Sequence, residues 1–296
     1  MHLLSLFTFV VFAAETVLSP IPDDTPVVVP LPPKPDVSFG QIVAMPTPIP
    51  QILGDTIVAT PSPTPTHQPS PTATAGTAKK RSYTIAFLGD SMIDTMGPEL
   101  PAVNNKLSAT YPTTDFTLLN YGAGGTNIDY GIERITNGYT YLGNQIPSLV
   151  STRPDIVVVE SCAYNPFPDA DGGINRHWIA LAKAVDTIRE NLPGAKIIIA
   201  ATIAPNSTVF GDGAAGVAFG AQDKIERTTV IKQYLDSTVK FTASQHLPLA
   251  DAYHASLNGN GDGILTYING GDHIHYSDAG RALFAQKIVS AIQAVL

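Results

Sequence analysis

Cysteine is almost absent: Cys162 is the only one in 296 residues. A single thiol excludes an internal disulfide framework and a paired-cysteine metal site. It does not indicate a redox compartment, because one buried thiol suits either side of a membrane. Basic residues are also few. Seventeen Lys and Arg stand against 25 Asp and Glu, giving a formal net charge of −8 and a pI near 5.2. No basic run exceeds Lys79-Lys80-Arg81. Nucleic acids and anionic membrane surfaces are gripped by basic patches, so the composition argues against both as partners.

Long hydrophobic runs are missing too, apart from Leu3 to Ala14. That run is too short to span a bilayer comfortably and matches the core of a signal peptide. Val11 and Ala13 suit the small-residue cleavage pattern, although no Lys or Arg precedes the run, and an uncleaved anchor is the alternative. Residues 1–19 are therefore read as a signal peptide or N-terminal anchor, and the protein is expected to be extracytoplasmic, secreted or held at the cell surface.

Proline is plentiful but uneven, with most of the 25 between Pro20 and Pro71. From Pro20 to Ala78 it alternates with Thr, Ser and Val without apolar periodicity, and such a segment stays extended and unpacked. Residues 20–80 read as a Pro/Thr-rich disordered linker, whether a stalk tethering the domain to a cell envelope or plain disorder. Gln41 to Met45 and Ile52 to Ala59 are short apolar interruptions within it. Residues 81–296, rich in Val, Ile, Leu and Ala, are long enough for one core of ordinary size.

Beyond Arg81 the pattern repeats strand, loop, helix, as in a parallel sheet covered on both faces. The strands expected are Tyr83 to Leu88, Phe116 to Asn120, Asp155 to Glu160, Lys196 to Ile203 and Pro248 to Ala250. The helices expected are Gly97 to Ala109, Ile132 to Val150, Asn175 to Asn191, Lys224 to Gln245 and Ser277 to Val295. The fold class is α/β, a three-layer α/β/α sandwich on a five-stranded parallel sheet. Loops leaving the carboxyl ends of such strands gather on one edge, where distant residues meet.

The first strand runs into Gly89-Asp90-Ser91, which sets a hydroxyl where the chain leaves the sheet; taken alone, this is more often a serine opening a helix after a glycine turn. Near the other end, Gly271-Asp272-His273-Ile274-His275 precedes the last helix. A serine nucleophile needs a base of near-neutral pKa, and the base needs a carboxylate to fix its tautomer. Asp272 and His275 can supply these, whereas an isolated DxxH is more often a polar loop. The second strand ends in Asn120-Tyr121-Gly122-Ala123-Gly124-Gly125, and the third runs into Glu160-Ser161-Cys162-Ala163-Tyr164-Asn165-Pro166. Acyl transfer creates an oxyanion that preorganised donors must meet, and Gly125 and Asn165 fit that need. No P-loop pattern follows either of the first two strands, which argues against a nucleotide site.

In this order GDS, NxGxxG, an Asn after the third strand and DxxH before the last helix resemble the SGNH (GDSL-type) hydrolases over about 215 residues. The resemblance implies a flavodoxin-like SGNH hydrolase fold, Ser91 as nucleophile, His275 as general base and Asp272 as its orienting acid. It also implies an oxyanion hole from the Ser91 N–H, Gly125 and Asn165, and a chemistry that needs no cofactor or metal. One block departs from the pattern: Ala163-Tyr164-Asn165-Pro166 stands where GxND is usual, and Pro166 confines Asn165 to extended backbone. His273 lies two residues before His275, and the DxxH spacing selects His275. The α/β-hydrolase elbow GxSxG is not met, since Ile93 stands where its second glycine would be.

Three other features have modest readings. Asn258 to Gly263 alternates oxygen-bearing residues with glycine like a calcium loop, but its twelfth position is Asn269 rather than Glu, which favours a plain loop bordering the site. Pro205 to Gly220 is a long glycine-rich connection and a candidate lid over the cleft. His177, Trp178 and Cys162 read as packing residues.

The function expected is hydrolysis of a small O-acyl ester through a Ser-His-Asp triad, and the resemblance together with the extracytoplasmic setting adds acetyl as one candidate group and an envelope or environmental carbohydrate as its carrier. An O-acetyltransferase of the same fold is one alternative. A non-catalytic carbohydrate-binding module on a stalk is the other. Oligomeric state is left open.

Overall fold

Three segments of the chain are apolar on both sides of the strand, and this decides the architecture. In β1 (Ser82–Gly89), Ile85 and Phe87 point to one face and Ala86 and Leu88 to the other, all fully buried. β5 (Ile156–Glu160) and β6 (Lys196–Ala201) are built the same way from Val and Ile. β2 (Asp115–Gly122) and β7 (Leu249–Asp251) close the two edges. Strands buried on both faces must be covered by helices on both faces, and β-branched residues favour the pleated backbone. The sheet order is β2-β1-β5-β6-β7 with every pairing parallel. The computed structural model describes residues 80–296. The signal segment expected over 1–19 and all but the last residue of the linker expected over 20–80 lie outside the described residues.

Two hydrophobic clusters fill the spaces above and below the sheet. One packs Ala86, Leu88, Val157, Val159 and Ile199 against α3 (Ile128–Thr136), α4 (Gly173–Asn191) and α5 (Ala221–Ser244). The other packs Ile85, Phe87, Val158 and Ile198 against α1 (Ser91–Asp94), α2 (Pro101–Thr110) and α7 (Asp278–Gln293). The five-stranded α/β/α sandwich read from the sequence is the fold observed. No helix among the described residues is long and apolar enough to cross a membrane.

Helix starts are set by side-chain caps that satisfy otherwise orphaned N–H groups. The Asp90 carboxylate accepts from Met92 N at 2.8 Å and opens α1. Ser277 accepts from Gly280 N at 3.1 Å and opens α7. α2 begins at Pro101, later than the expected Gly97, because Gly97, Glu99 and Leu100 all take positive φ before the proline sets the first helical turn.

The helix expected over Ile132 to Val150 is the clear disagreement. α3 stops at Thr136, and the chain then forms a small antiparallel hairpin, β3 (Tyr139–Tyr141) with β4 (Asn144–Ile146), and a 3₁₀ turn at Leu149–Thr152. Ile132, Ile135, Tyr139, Leu142, Ile146 and Leu149 follow one another at helical spacing, which explains the misreading. Gly138, Gly143 and Pro147 break the run, and Gly143 at φ +80° makes the hairpin turn. A final short helix, α6 (Ala252–Ala255), follows β7.

The strand order reverses between β1 and β5, so their carboxyl ends open a crevice at the switch point, where open α/β sheets bind ligands. The crevice depends on α1 lying close on β2. A Cβ at Gly122 would fall 2.2 Å from Asp94 N and 2.8 Å from the Ile93 carbonyl carbon. Gly122→Ala is therefore expected to destabilise the domain by about 1–3 kcal/mol, the range for overpacking against backbone, measurable by denaturant unfolding. An unchanged midpoint would show that α1 can shift freely.

Candidate active site

Three strand ends and the turn before α7 deliver their polar residues to one cavity of about 500 Å³, lined by Ser91, Gly125, Asn165 and His275. Ser91 is the first residue of α1, directly after β1. Gly125 lies beyond β2, in the left-handed region at φ +70°. Asn165 follows β5, and His275 belongs to the turn before α7. Among the described residues no hydrogen bond uses the Ser91 or Gly125 N–H, so both donors are free for a ligand.

Asp272 and His275 are held together by their own turn. His273 takes φ +51°, which folds the chain so that the Asp272 carboxylate accepts from Ile274 N at 2.9 Å and His275 N at 3.0 Å. Its other oxygen lies 2.8 Å from His275 Nδ1. Partial burial raises the Asp272 carboxyl, but the bond from the His275 ring, the two N–H bonds and the imidazole charge outweigh it, and the net effect is to lower it. An ionised Asp272 fixes the proton on Nδ1 and leaves Nε2 as the proton acceptor. His273 is used elsewhere: its Nδ1 donates to the Asp212 carbonyl at 2.7 Å.

DxxH occurs a second time, as Asp251-Ala252-Tyr253-His254, with His254 Nδ1 2.7 Å from Asp251. That imidazole is half exposed and does not line the Ser91 cavity. Spacing alone therefore does not separate the two pairs, and position in the fold does.

Beneath Ser91 lies a buried acidic pair that the sequence reading passed over. Asp90 and Glu160 are both fully buried, and one oxygen of each, with Cys162 Sγ, lie within 4.8 Å of one another. Glu160 oxygens accept from Asp90 N at 3.4 Å and Cys162 N at 3.0 Å. Desolvation, then the Asp90 charge, drive the Glu160 carboxyl well above its ordinary 4.5. Desolvation also raises Asp90, opposed by the bonds from Met92 N and Asn165. Two carboxyls so close cannot both ionise, so the proton stays on Glu160. An acid ending the otherwise apolar strand Ile-Val-Val-Val-Glu was the available signal. The Cys162 thiol, pushed well up by burial and then by Glu160 and Asp90, stays protonated.

Asp90 also orients Asn165, whose Nδ2 donates to Asp90 Oδ2 at 2.8 Å. An amide has two N–H groups, so one remains after this bond. Asn165 N in turn donates to the Cys162 carbonyl at 3.0 Å, closing a turn around Cys162 at φ +53°. Pro166 therefore follows an asparagine already fixed at two points.

The Pro205 to Gly220 segment, read from the sequence as a lid, is a wall of the cavity. Phe210, Val217 and Phe219 line it, joined by Val230 and Ile231 from α5 and by Ile274. Phe210 and Phe219 stack at 6.0 Å, and the Arg227 guanidinium lies 4.1 Å from the Phe219 centroid. Asn206 donates to the Gly263 carbonyl at 2.8 Å, and Ser207 N and Oγ donate to Asp262, which also pairs with Lys232 at 3.0 Å. The Asn258 to Gly263 loop thus uses its one carboxylate to pin that wall. His177 and Trp178 are packing residues: His177 is buried, its Nε2 donates to the Ser161 carbonyl at 2.8 Å, and burial lowers it to about 4.

The model of the GDSL-like lipase/acylhydrolase family matches residues 87–283, which carry every residue of this cavity. The chain belongs to that family. Its members the SGNH hydrolases are ester-cleaving serine hydrolases, and this GDSL protein is one. No curated protein matches its sequence. Among solved structures it is similar to a lipase/acylhydrolase from Enterococcus faecalis, at 18% identity and TM-score 0.51, over 72% of this chain and 97% of that one. A GDSL-like lipase from Bacteroides thetaiotaomicron matches at 14% identity and TM-score 0.52, over 76% and 94%. An acetylxylan esterase from Geobacillus stearothermophilus matches at 15% identity and TM-score 0.50, over 71% and 94%. These likenesses establish the shared fold.

The buried pair makes a prediction about stability. Because the folded Glu160 value is raised, its contribution is complete below its unfolded value near 4.5 and is lost as pH rises through the folded value. Glu160→Gln, which mimics the protonated form, has no such loss. Its stability relative to wild type is expected to increase steadily with pH above 4.5 in urea unfolding. Parallel pH profiles for the two proteins would mean that Glu160 is not held protonated.

Proposed function

We propose that this esterase acts through Ser91, with His275 as base and Asp272 as its partner, on esters whose acyl group is apolar and longer than acetyl. The observation that carries the reading is the shared cavity, which Ser91, Gly125, Asn165 and His275 line together, with the Ser91 and Gly125 N–H groups unused, beside an apolar wall. His275 Nε2 takes the Ser91 proton as Oγ attacks the ester carbonyl. The oxyanion is met by the N–H of Ser91 and Gly125 and by the remaining N–H of the Asn165 amide. The protonated imidazole then gives its proton to the departing alcohol, and water activated by the same group releases the acid.

The expected acetyl group would leave most of the cavity unfilled. About 500 Å³ falls within the span of small-molecule sites, and Phe210, Phe219, Val230 and Ile274 offer a hydrocarbon group dispersion contacts and burial. The alcohol arm, for which the sequence reading favoured an envelope carbohydrate, carries no such requirement. The N-terminal sequence supports action outside the cytoplasm.

The test is hydrolysis of 4-nitrophenyl acetate, butyrate, octanoate and palmitate by the full chain, with Ser91→Ala and His275→Ala alongside. Both variants are expected to lose about a thousandfold or more in kcat, and wild-type kcat/KM is expected to peak above acetate. Turnover surviving in Ser91→Ala would discard the nucleophile, and a peak at acetate would return the reading to acetyl esters.

A further inference from the structure

The turn that carries Gly125 is closed by Thr126 Oγ1, which donates to the Ala123 carbonyl at 2.7 Å, but that bond spans the two glycines without holding either of their N–H groups. Gly124 and Gly125 have no side chains to pack, and nothing lies within 4 Å of where a Gly125 Cβ would be. Consecutive glycines carry the largest conformational freedom of any pair, yet a donor to an oxyanion has to be aimed before the reaction starts. Some neighbour must set the aim.

We infer that Tyr141, on the β3–β4 hairpin, is a positioning residue that ties this turn to the helix bearing Ser91. The inference rests on the reading of Gly125 as an oxyanion donor. Gly124 N donates to Tyr141 Oη at 2.8 Å, and Tyr141 Oη donates to Asp94 Oδ2 at 2.7 Å. The chemistry leaves one direction for this relay. An amide N–H only donates and a carboxylate only accepts, so the single phenol proton goes to Asp94 and its lone pair receives Gly124. Asp94 ends α1, whose first residue is Ser91, and a Cβ at Gly124 would lie 3.7 Å from the Ser91 Cβ. Nucleophile and oxyanion turn are thereby fixed to one another through a third element.

The hairpin is itself tied to the end of β1. The ring of Tyr139 lies 5.7 Å from the guanidinium of buried Arg134, whose Nη2 donates to the Gly89 carbonyl at 2.9 Å. Both β3 tyrosines therefore reach the segment around Ser91, from two sides. The exposed tip residue Leu142, 79% accessible, contributes nothing to that anchorage.

Tyr141→Phe keeps the ring and removes only the relay. It is expected to lower kcat by about tenfold to a hundredfold, less than outright loss of an oxyanion donor, with KM within about twofold and the unfolding midpoint close to wild type. A boronic acid that mimics the tetrahedral intermediate should bind more weakly by a similar factor. Asp94→Asn, which still accepts the phenol proton, should stay near wild type, whereas Asp94→Ala should match Tyr141→Phe. The double variant Tyr141→Phe/Asp94→Ala should be no worse than either single one. Ser91→Ala is measured in the same assay. If it is inactive while Tyr141→Phe and Asp94→Ala both keep wild-type kcat, the relay is overturned and the nucleophile stands; if it stays active, the underlying reading fails first. A loss confined to stability or KM would reduce Tyr141 to a packing residue. Should Tyr141→Phe not fold, the contrast between Asp94→Ala and Asp94→Asn decides the matter.

Discussion

The site is built around one buried carboxylate. Asp90 sits below the mouth of the sheet, fully removed from water, and each of its bonds sets a separate element. One oxygen receives Met92 N and starts the helix that presents Ser91; the other receives the Asn165 amide from the far side of the switch point. A charge in that position is tolerable only because it is hydrogen-bonded throughout and because its neighbour Glu160 stays protonated. Acceptor capacity is thereby concentrated where the two central strands diverge, and the crevice between them inherits its polar lining from residues that cannot drift apart.

The arrangement divides the labour between strand ends and covering elements. Ser91, Gly125, Asn165 and His275 hang from short turns next to the sheet, the Asn165 amide held by buried Asp90 and the His275 ring by Asp272. The apolar wall is made by the connection after β6 and the first turns of α5, and it meets the strand-end turns through Tyr164 against Phe210 and through His273 bonded to the Asp212 carbonyl. Rigid chemistry beside a replaceable wall is the form in which a single fold can serve many esters.

Much of this was legible in the chain. The parallel sheet could be read because β1, with Ile85, Ala86, Phe87 and Leu88, and the Val- and Ile-rich β5 and β6 are runs apolar on both sides. That Ser91 and His275 line one cavity, with Asp272 bonded to the imidazole, was foreshadowed because a hydroxyl after the first strand and a DxxH before the last helix make chemical sense only together. The hairpin was not, because its residues imitate helical spacing and only Gly138, Gly143 and Pro147 contradict it. Tyr141 and Asp94 lie 47 positions apart, and no local pattern announces a contact of that range. Phe210 and Phe219 were hidden for the same reason, inside a segment whose glycines suggested motion while Ser207, Asn206 and His273 hold it in place.

The bond from His273 to the Asp212 carbonyl has a consequence for divergence within the family. His273 is the strained residue that lets Asp272 reach His275, and its imidazole is also a fastening point of the cavity wall. The cavity wall and the geometry of the Asp272–His275 pair therefore meet in one side chain. A lineage that lengthens or replaces the wall to accept a new ester has to find another partner for that imidazole, or let the turn of the base relax. A displacement of the wall at Asp212 is therefore transmitted directly to the turn that holds Asp272 against His275.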